Sequence, residues 1–241
     1  MTDNTFDLTA LSQRLFTEDR LKPLAGMINR AQDLASMRAD LEIALESLDT
    51  LAALFAAPQS DDLSTSVTEY ALLSNAVLLY ARATKTTSVE RRSFDLSSRF
   101  SEQEKIMHQE LVDLRDGAIA HFGSGGSYQG LWHVEAVILQ TNIESSRVGV
   151  LTRRQTRDVE LVKRARTQIA KAHSLIDQIC IEKIEKVTAE LNKMNPDDFE
   201  KEIRQHLLDL DVMMASQEAA NLVRSSANNG GYSKGIVKHR G

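Results

Sequence analysis

The sequence predicts an all-α fold, a helical bundle followed by a long antiparallel helical hairpin, and three observations carry that reading. Aromatic residues make up only 5% of the chain, while Ala, Leu, Glu, Gln, Lys, Arg and Met abound; these side chains lose little rotamer freedom in a helix. Three prolines alone, Pro23, Pro58 and Pro196, interrupt 241 residues. Two long stretches repeat apolar residues every seven positions, and no stretch alternates as a half-buried strand does.

In chain order, an apolar segment from Phe6 to Phe16 leads to Pro23. Met27, Ala31, Leu34, Arg38, Leu41, Leu45, Leu48, Ala52 and Phe55 then step by four and three, which predicts one long helix ending near Pro58. Arg38 interrupts this seam and reads as a snorkelling side chain at its edge. Ser66-Val-Thr-Glu69 has the spacing of a capping box opening a helix through Ala81. Ala83 to Phe100, with Arg91 and Arg92, is polar and β-branched and reads as a loop. Ser101-Glu-Gln-Glu104 is a second capping box, whose helix passes Ile106, Leu111, Leu114 and Ala118 and stops at Gly123-Ser-Gly-Gly126.

A further helix is expected from about Leu131 to Ile143. A second heptad stretch runs from Arg153 to Lys193 through Val162, Ala165, Ile169, Ala172, Ile176 and Ile179. Its seam shifts to Ile184, Val187 and Leu191, a skip in register. Asn195-Pro196-Asp197-Asp198 starts another helix, with an Asn cap, Pro in the first turn and acids at the positive dipole end. That helix continues through Ile203, Leu207, Leu210 and Met214 and ends at Asn228-Asn-Gly-Gly231, before a polar tail read as disordered. The expected division is a helical domain over 1–150, a helical hairpin over 151–227 and a tail over 228–241.

A formal net charge of −5 argues against a protein that coats nucleic acid by bulk electrostatics. The lone cysteine, Cys180, cannot form an intramolecular disulfide and reads as core filler in a reducing compartment. The N-terminal residues lack the pattern of a signal peptide, and no apolar run is long enough to span a membrane. A cytoplasmic protein without membrane association is expected.

Chemistry is suggested by Leu111-Val-Asp-Leu-Arg115-Asp116-Gly-Ala-Ile-Ala-His121. Six residues along an ideal helix leave Arg115 and His121 about 120° apart in rotation and about 9 Å apart along the axis. The Arg side chain closes part of that gap, or two copies meet across a dimer axis. His121 falls near a helix C-terminus, where the dipole favours the imidazolium. Such a His can move a proton near neutral pH, and an Arg can stabilise charge on a pentavalent phosphate. The same three residues also suit a structural role, Arg115 and Asp116 in surface ion pairs and His121 capping terminal carbonyls.

An Arg, a polar residue and a His at a helix end resemble the signature of the HEPN ribonucleases. Tyr80-Ala-Arg82-Ala, Arg91-Arg92, a Ser-Glu helix start with His108, and Leu114-Arg-Asp-Gly-Ala-Ile-Ala-His121-Phe resemble the HEPN-like abortive-infection group over about residues 26–150. The resemblance implies a homodimer whose paired Arg/His motifs share one cleft, metal-independent RNA cleavage in phage defence or a toxin-like stress response, and an antitoxin or regulatory partner. In that scheme His121 deprotonates the ribose 2′-OH or protonates the leaving oxygen. Arg115 holds the phosphate and Asp116 orients one of them. Arg82 and His108 match by surroundings alone and stay outside the site. The alternative is a non-catalytic helical interaction module that self-associates or binds a partner protein.

Arg147, Arg153, Arg154, Arg157, Lys163, Arg164, Arg166 and Lys171 form a basic stretch that reads either as a guide for RNA phosphates or as a solvated helix face. The loop at Gly123 lacks the Gly-Lys-Ser/Thr ending of a nucleotide site. Histidines 108, 121, 133, 173, 206 and 239 show no metal-ligand spacing, so neither metal nor cofactor is expected.

Overall fold

The computed structural model describes residues 5–19, 21–58, 63–85, 91–92, 94–119, 134–141, 146–153, 157–214 and 216–227. The chain is mainly helical, and it divides into two compact units, one of residues 33–182 and one of residues 1–32 with 183–241. Both boundaries fall inside long helices.

The larger unit holds most of α2 (Lys22–Ala56), α3 (Leu63–Thr84), α4 (Glu102–Leu114) and most of α5 (Val159–Leu191), while α1 (Leu8–Leu15) belongs to the smaller unit. Leu34, Met37, Leu41, Ala44, Leu48 and Leu51 of α2 are buried with Leu73, Val77 and Tyr80 of α3, Leu111 and Leu114 of α4, and Val162, Ile169 and Ile176 of α5. The α2 seam keeps the expected Leu34, Leu41 and Leu48, but its other half is Met37, Ala44 and Leu51, one residue before the expected set. Arg38 is thereby an edge residue, yet its side chain is only 14% exposed. It does not snorkel, because acids meet it in place: Nε lies 2.6 Å from Asp177 on α5 and a terminal nitrogen 3.2 Å from Glu42. His173 Nε2 stands 3.5 Å from the same Glu42 carboxylate.

The α5 seam follows the expected positions from Val162 to Ile179, all buried. Its skip falls where the chain passes into the smaller unit, whose core takes Val187 with Leu11, Leu15, Leu24, Ala25 and Ile28, and has Leu191 packed against it. Here the expected continuous helix from Asn195 to Met214 is broken. The helix α6 (Pro196–Ile203) ends in a 3-10 turn, and α7 (Leu210–Met213) and α8 (Gln217–Ala227) are separate. The break has local causes. Leu207 bridges to Phe6 in extended pairing, and Asp209 accepts from the N–H groups of Asp211 and Val212 to start α7. Arg14 of α1 pairs with Glu202 in the same unit.

Two other expectations are corrected. Ser66 and Glu69 do not cap a helix, because α3 already begins at Leu63. The helix expected over 131–143 is instead the strand β1 (Val134–Thr141), paired antiparallel with β2 (Ser146–Arg153) in a regular register from Val134↔Arg153 to Thr141↔Ser146. Val134, Val137, Ile138, Val148, Val150 and Thr152 favour a pleated backbone. The two-residue period was hidden because both faces carry apolar residues, Val137 and Leu139 on one and Ala136 and Ile138 on the other. The polar tail over 228–241 lies outside the described residues.

Candidate functional site

Arg115 stands at the end of α4, and that helix begins as its sequence requires. Ser101 Oγ accepts from the Glu104 N–H at 3.3 Å, and the Glu104 carboxylate accepts from the Ser101 N–H at 2.7 Å, a complete capping box. At the other end the Arg115 N–H is shared between the carbonyls of Leu111 and Val112. The chain then widens into a π-helical turn over Arg115–Ile119. Such turns are rare and concentrate at functional sites.

On this turn Arg115 Nη1 donates to Asp116 Oδ1 at 2.5 Å, and Lys85, just past the end of α3, donates from Nζ to Asp116 Oδ2 at 2.6 Å. The Lys85 ammonium and the Arg115 guanidinium hold the Asp116 carboxyl below the usual carboxylate range. All three side chains are one-third to one-half exposed. An acid thus clamps two cations at an accessible helix end, and a phosphate arriving there would meet both. Of the expected site, Arg115 and Asp116 are brought together; His121 lies outside the described residues, as do the glycine loop and His133.

Two turns back along α4, His108 sits on nearly the same stripe as Arg115, since seven residues rotate by about 700°. Its Nδ1 is 2.8 Å from the hydroxyl of Tyr80, a fully buried side chain of α3. That hydroxyl accepts from the Gln168 amide of α5 at 3.1 Å. The direction of the Tyr80–His108 bond follows the imidazole tautomer: with hydrogen on Nε2, His108 Nδ1 accepts from the hydroxyl. Burial pushes the His108 imidazole below its ordinary value, opposed by Asp95 and reinforced by Lys85, and drives the Tyr80 phenol far up. Phe100 closes the other side of the ring, with centroids 5.6 Å apart.

Arg82 and the Arg91-Arg92 pair belong to a third cluster. The buried Asp40 carboxylate of α2 receives Arg82 through Nε at 2.8 Å and through Nη2, and Arg91 at 2.7 Å. Arg91 also reaches Ser36 Oγ and the Arg82 carbonyl, at 3.0 and 2.6 Å. Arg92 Nε lies 3.1 Å from Asp33. These contacts fasten residues 91–92 to α2 and α3, a structural use for cations that sequence surroundings linked to the motif.

The basic stretch is laced with acids. Lys163 pairs with Glu160, Arg164 with Glu110, Arg166 with Asp49 and Lys171 with Glu104. Arg157 stacks over Phe55 at 4.4 Å and donates to its carbonyl at 2.6 Å. These described cations form a paired helix face rather than a free phosphate track. Cys180 is buried and its thiol is pushed up by that burial, as core filler.

Sequence reasoning missed Lys85 and the Tyr80–Gln168 pair. Tyr80 was visible beside Arg82, but partners 31 and 88 residues apart leave no local signal. Among the described residues no three His, Cys, Asp or Glu side chains gather to hold a metal ion, and no helix is long and apolar enough to cross a membrane. Compared with protein-family models, with curated proteins and with solved structures, the chain matches none.

Proposed function

We propose that this chain is a metal-independent endoribonuclease of the HEPN type, acting as a homodimer in phage defence or a toxin-like stress response. The observation that carries the reading is the wide turn at Arg115–Ile119, where Asp116 holds Arg115 and Lys85 side by side at an accessible helix end. In the proposed reaction a scissile phosphate displaces the carboxylate from part of this clamp. Arg115 and Lys85 then take up the charge that grows on the phosphorane oxygens. Asp116 keeps the guanidinium aimed. His121 transfers the proton between the 2′-OH and the leaving 5′-oxygen, so that the products carry a 2′,3′-cyclic phosphate and a 5′-hydroxyl.

The test is incubation of the purified chain with mixed cellular RNA in EDTA, beside Arg115→Ala and His121→Ala. Cleavage by the parent with cyclic-phosphate ends, reduced at least a hundredfold in both variants, is the expected result. Parent and variants behaving alike would overturn the assignment. A second reading, a non-catalytic module that binds a partner protein or itself, draws on the exposed aliphatic face of the β-hairpin.

A further inference from the structure

The hairpin of β1 and β2 shows a face that none of the described residues covers. Val137 and Val150 lie directly opposite one another, as do Leu139 and Val148. These four are 75%, 75%, 64% and 73% exposed. The other face is partly covered: Ala136, Ile138 and Gly149 are half-buried, Ile138 leans to within 3.7 Å of where a Gly149 side chain would begin, and Leu151 is 47% exposed. A two-stranded sheet standing by itself is marginal in water, and a cluster of four aliphatic side chains in water is the mark of a binding face. The strands have no proline and no bulge along eight paired residues.

We propose that this face packs on the same face of a second copy of the chain. Its chemistry selects that occupant. Thr141 and Ser146 close one end of the patch, and its four central side chains carry no charge. A twofold interface sets a patch against itself, so a charged patch would meet its own sign, whereas an aliphatic one is self-complementary. Nucleic acid would find no cation among the four. A lipid surface is ordinarily met by aromatic and basic side chains, and these four positions hold neither. Two such faces stacked about 10 Å apart as sheets pack would together remove on the order of 1,000 Å² from water, the lower bound for a specific interface. The inference shares the homodimer of the proposed function but not its chemistry, and the two can fail separately.

The test is the molar mass of the full chain by light scattering across a range of concentrations, for the parent, Val148→Lys and Val148→Thr. Threonine keeps the branched β-former and lysine places a charge where the copies would touch. A parent dimer, a Val148→Lys monomer with unchanged helical circular dichroism, and a Val148→Thr dimer at least tenfold weaker are expected. As a second readout, Val150→Cys should form a disulfide-linked dimer on mild oxidation, while Gln103→Cys on the exposed start of α4 should not; Cys180 is buried and does not compete. A parent that stays monomeric, a dimer indifferent to Val148→Lys, or a parent that floats with phosphatidylcholine vesicles and loses this with Val148→Lys would each overturn the proposal. RNA cleavage is followed in the same samples. Its absence with the dimer intact removes the catalytic reading and leaves the interface standing.

Discussion

Tyr80 is the residue on which three helices agree, since its ring fills the core of the larger unit while its hydroxyl joins His108 on α4 to Gln168 on α5. Tyr80→Phe would keep the packing and strand a buried amide, at roughly 1–3 kcal/mol by chemical denaturation. It would also remove the hydroxyl bonded to His108 Nδ1, a change read by NMR at the imidazole. The linkage has a definite sign. His108 is held below its unfolded value of about 6.5, so its stabilising share is present above that pH and is lost as pH falls through the lowered value. The Asp116 carboxyl, also lowered, behaves the same way within the acid range: its clamp on Lys85 and Arg115 is whole above the ordinary carboxylate value and is released as pH falls through the lowered one. Arg115 and Asp116 could be singled out in the sequence because they are neighbours on a helix end. Lys85 could not, because only the packing of α3 beside the turn brings it there.

At the scale of elements, the parts legible in sequence were those whose signal is local. The Ser101/Glu104 box, the Pro196 helix start and the α5 seam each depend on residues within a turn or two. One of the two seam positions of α2 was read one residue late because Arg38 and Leu45 sit next to the true positions Met37 and Ala44, and apolarity alone does not separate edge from seam. The hairpin was missed because its faces are both apolar, and the break after Ile203 because the bridge from Leu207 to Phe6 spans most of the chain. Asp40 offers a test of how the loop before α4 is fixed. Asp40→Ala removes the acceptor of both Arg82 and Arg91, and should cost about 3 kcal/mol, the low end for a broken buried pair because Arg82 stays half-exposed. Limited proteolysis should then cut near residues 91–92 sooner than in the parent.

For the whole molecule, the separation of core from exposed face makes a contrast that denaturation can read. Ile169 is fully buried among the α5 contacts of the larger unit, and Ile169→Ala should cost about 2–5 kcal/mol. Val148 on the exposed hairpin face should be nearly neutral for a dilute monomer, within about 0.5 kcal/mol, when replaced by threonine. The ion-paired face of α5 has a related consequence for partners. With Lys163, Arg164, Arg166 and Lys171 answered by acids, high salt should disturb the surface of this helix more than any long-range attraction for polyanions.

The turn after α4 takes one residue more than the ladder of an ordinary helix accommodates. It acts as a splice in the numbering of a rod: in an ordinary helix one added residue is worth about 100° of rotation. Gly117, whose missing side chain would meet open space, is the natural place to probe this. Gly117→Ala should be tolerated and add up to about 1 kcal/mol by limiting the unfolded chain. Deleting Gly117 would restore the regular count and turn Ile119 by about 100° relative to Arg115, so this turn sets phase as well as length.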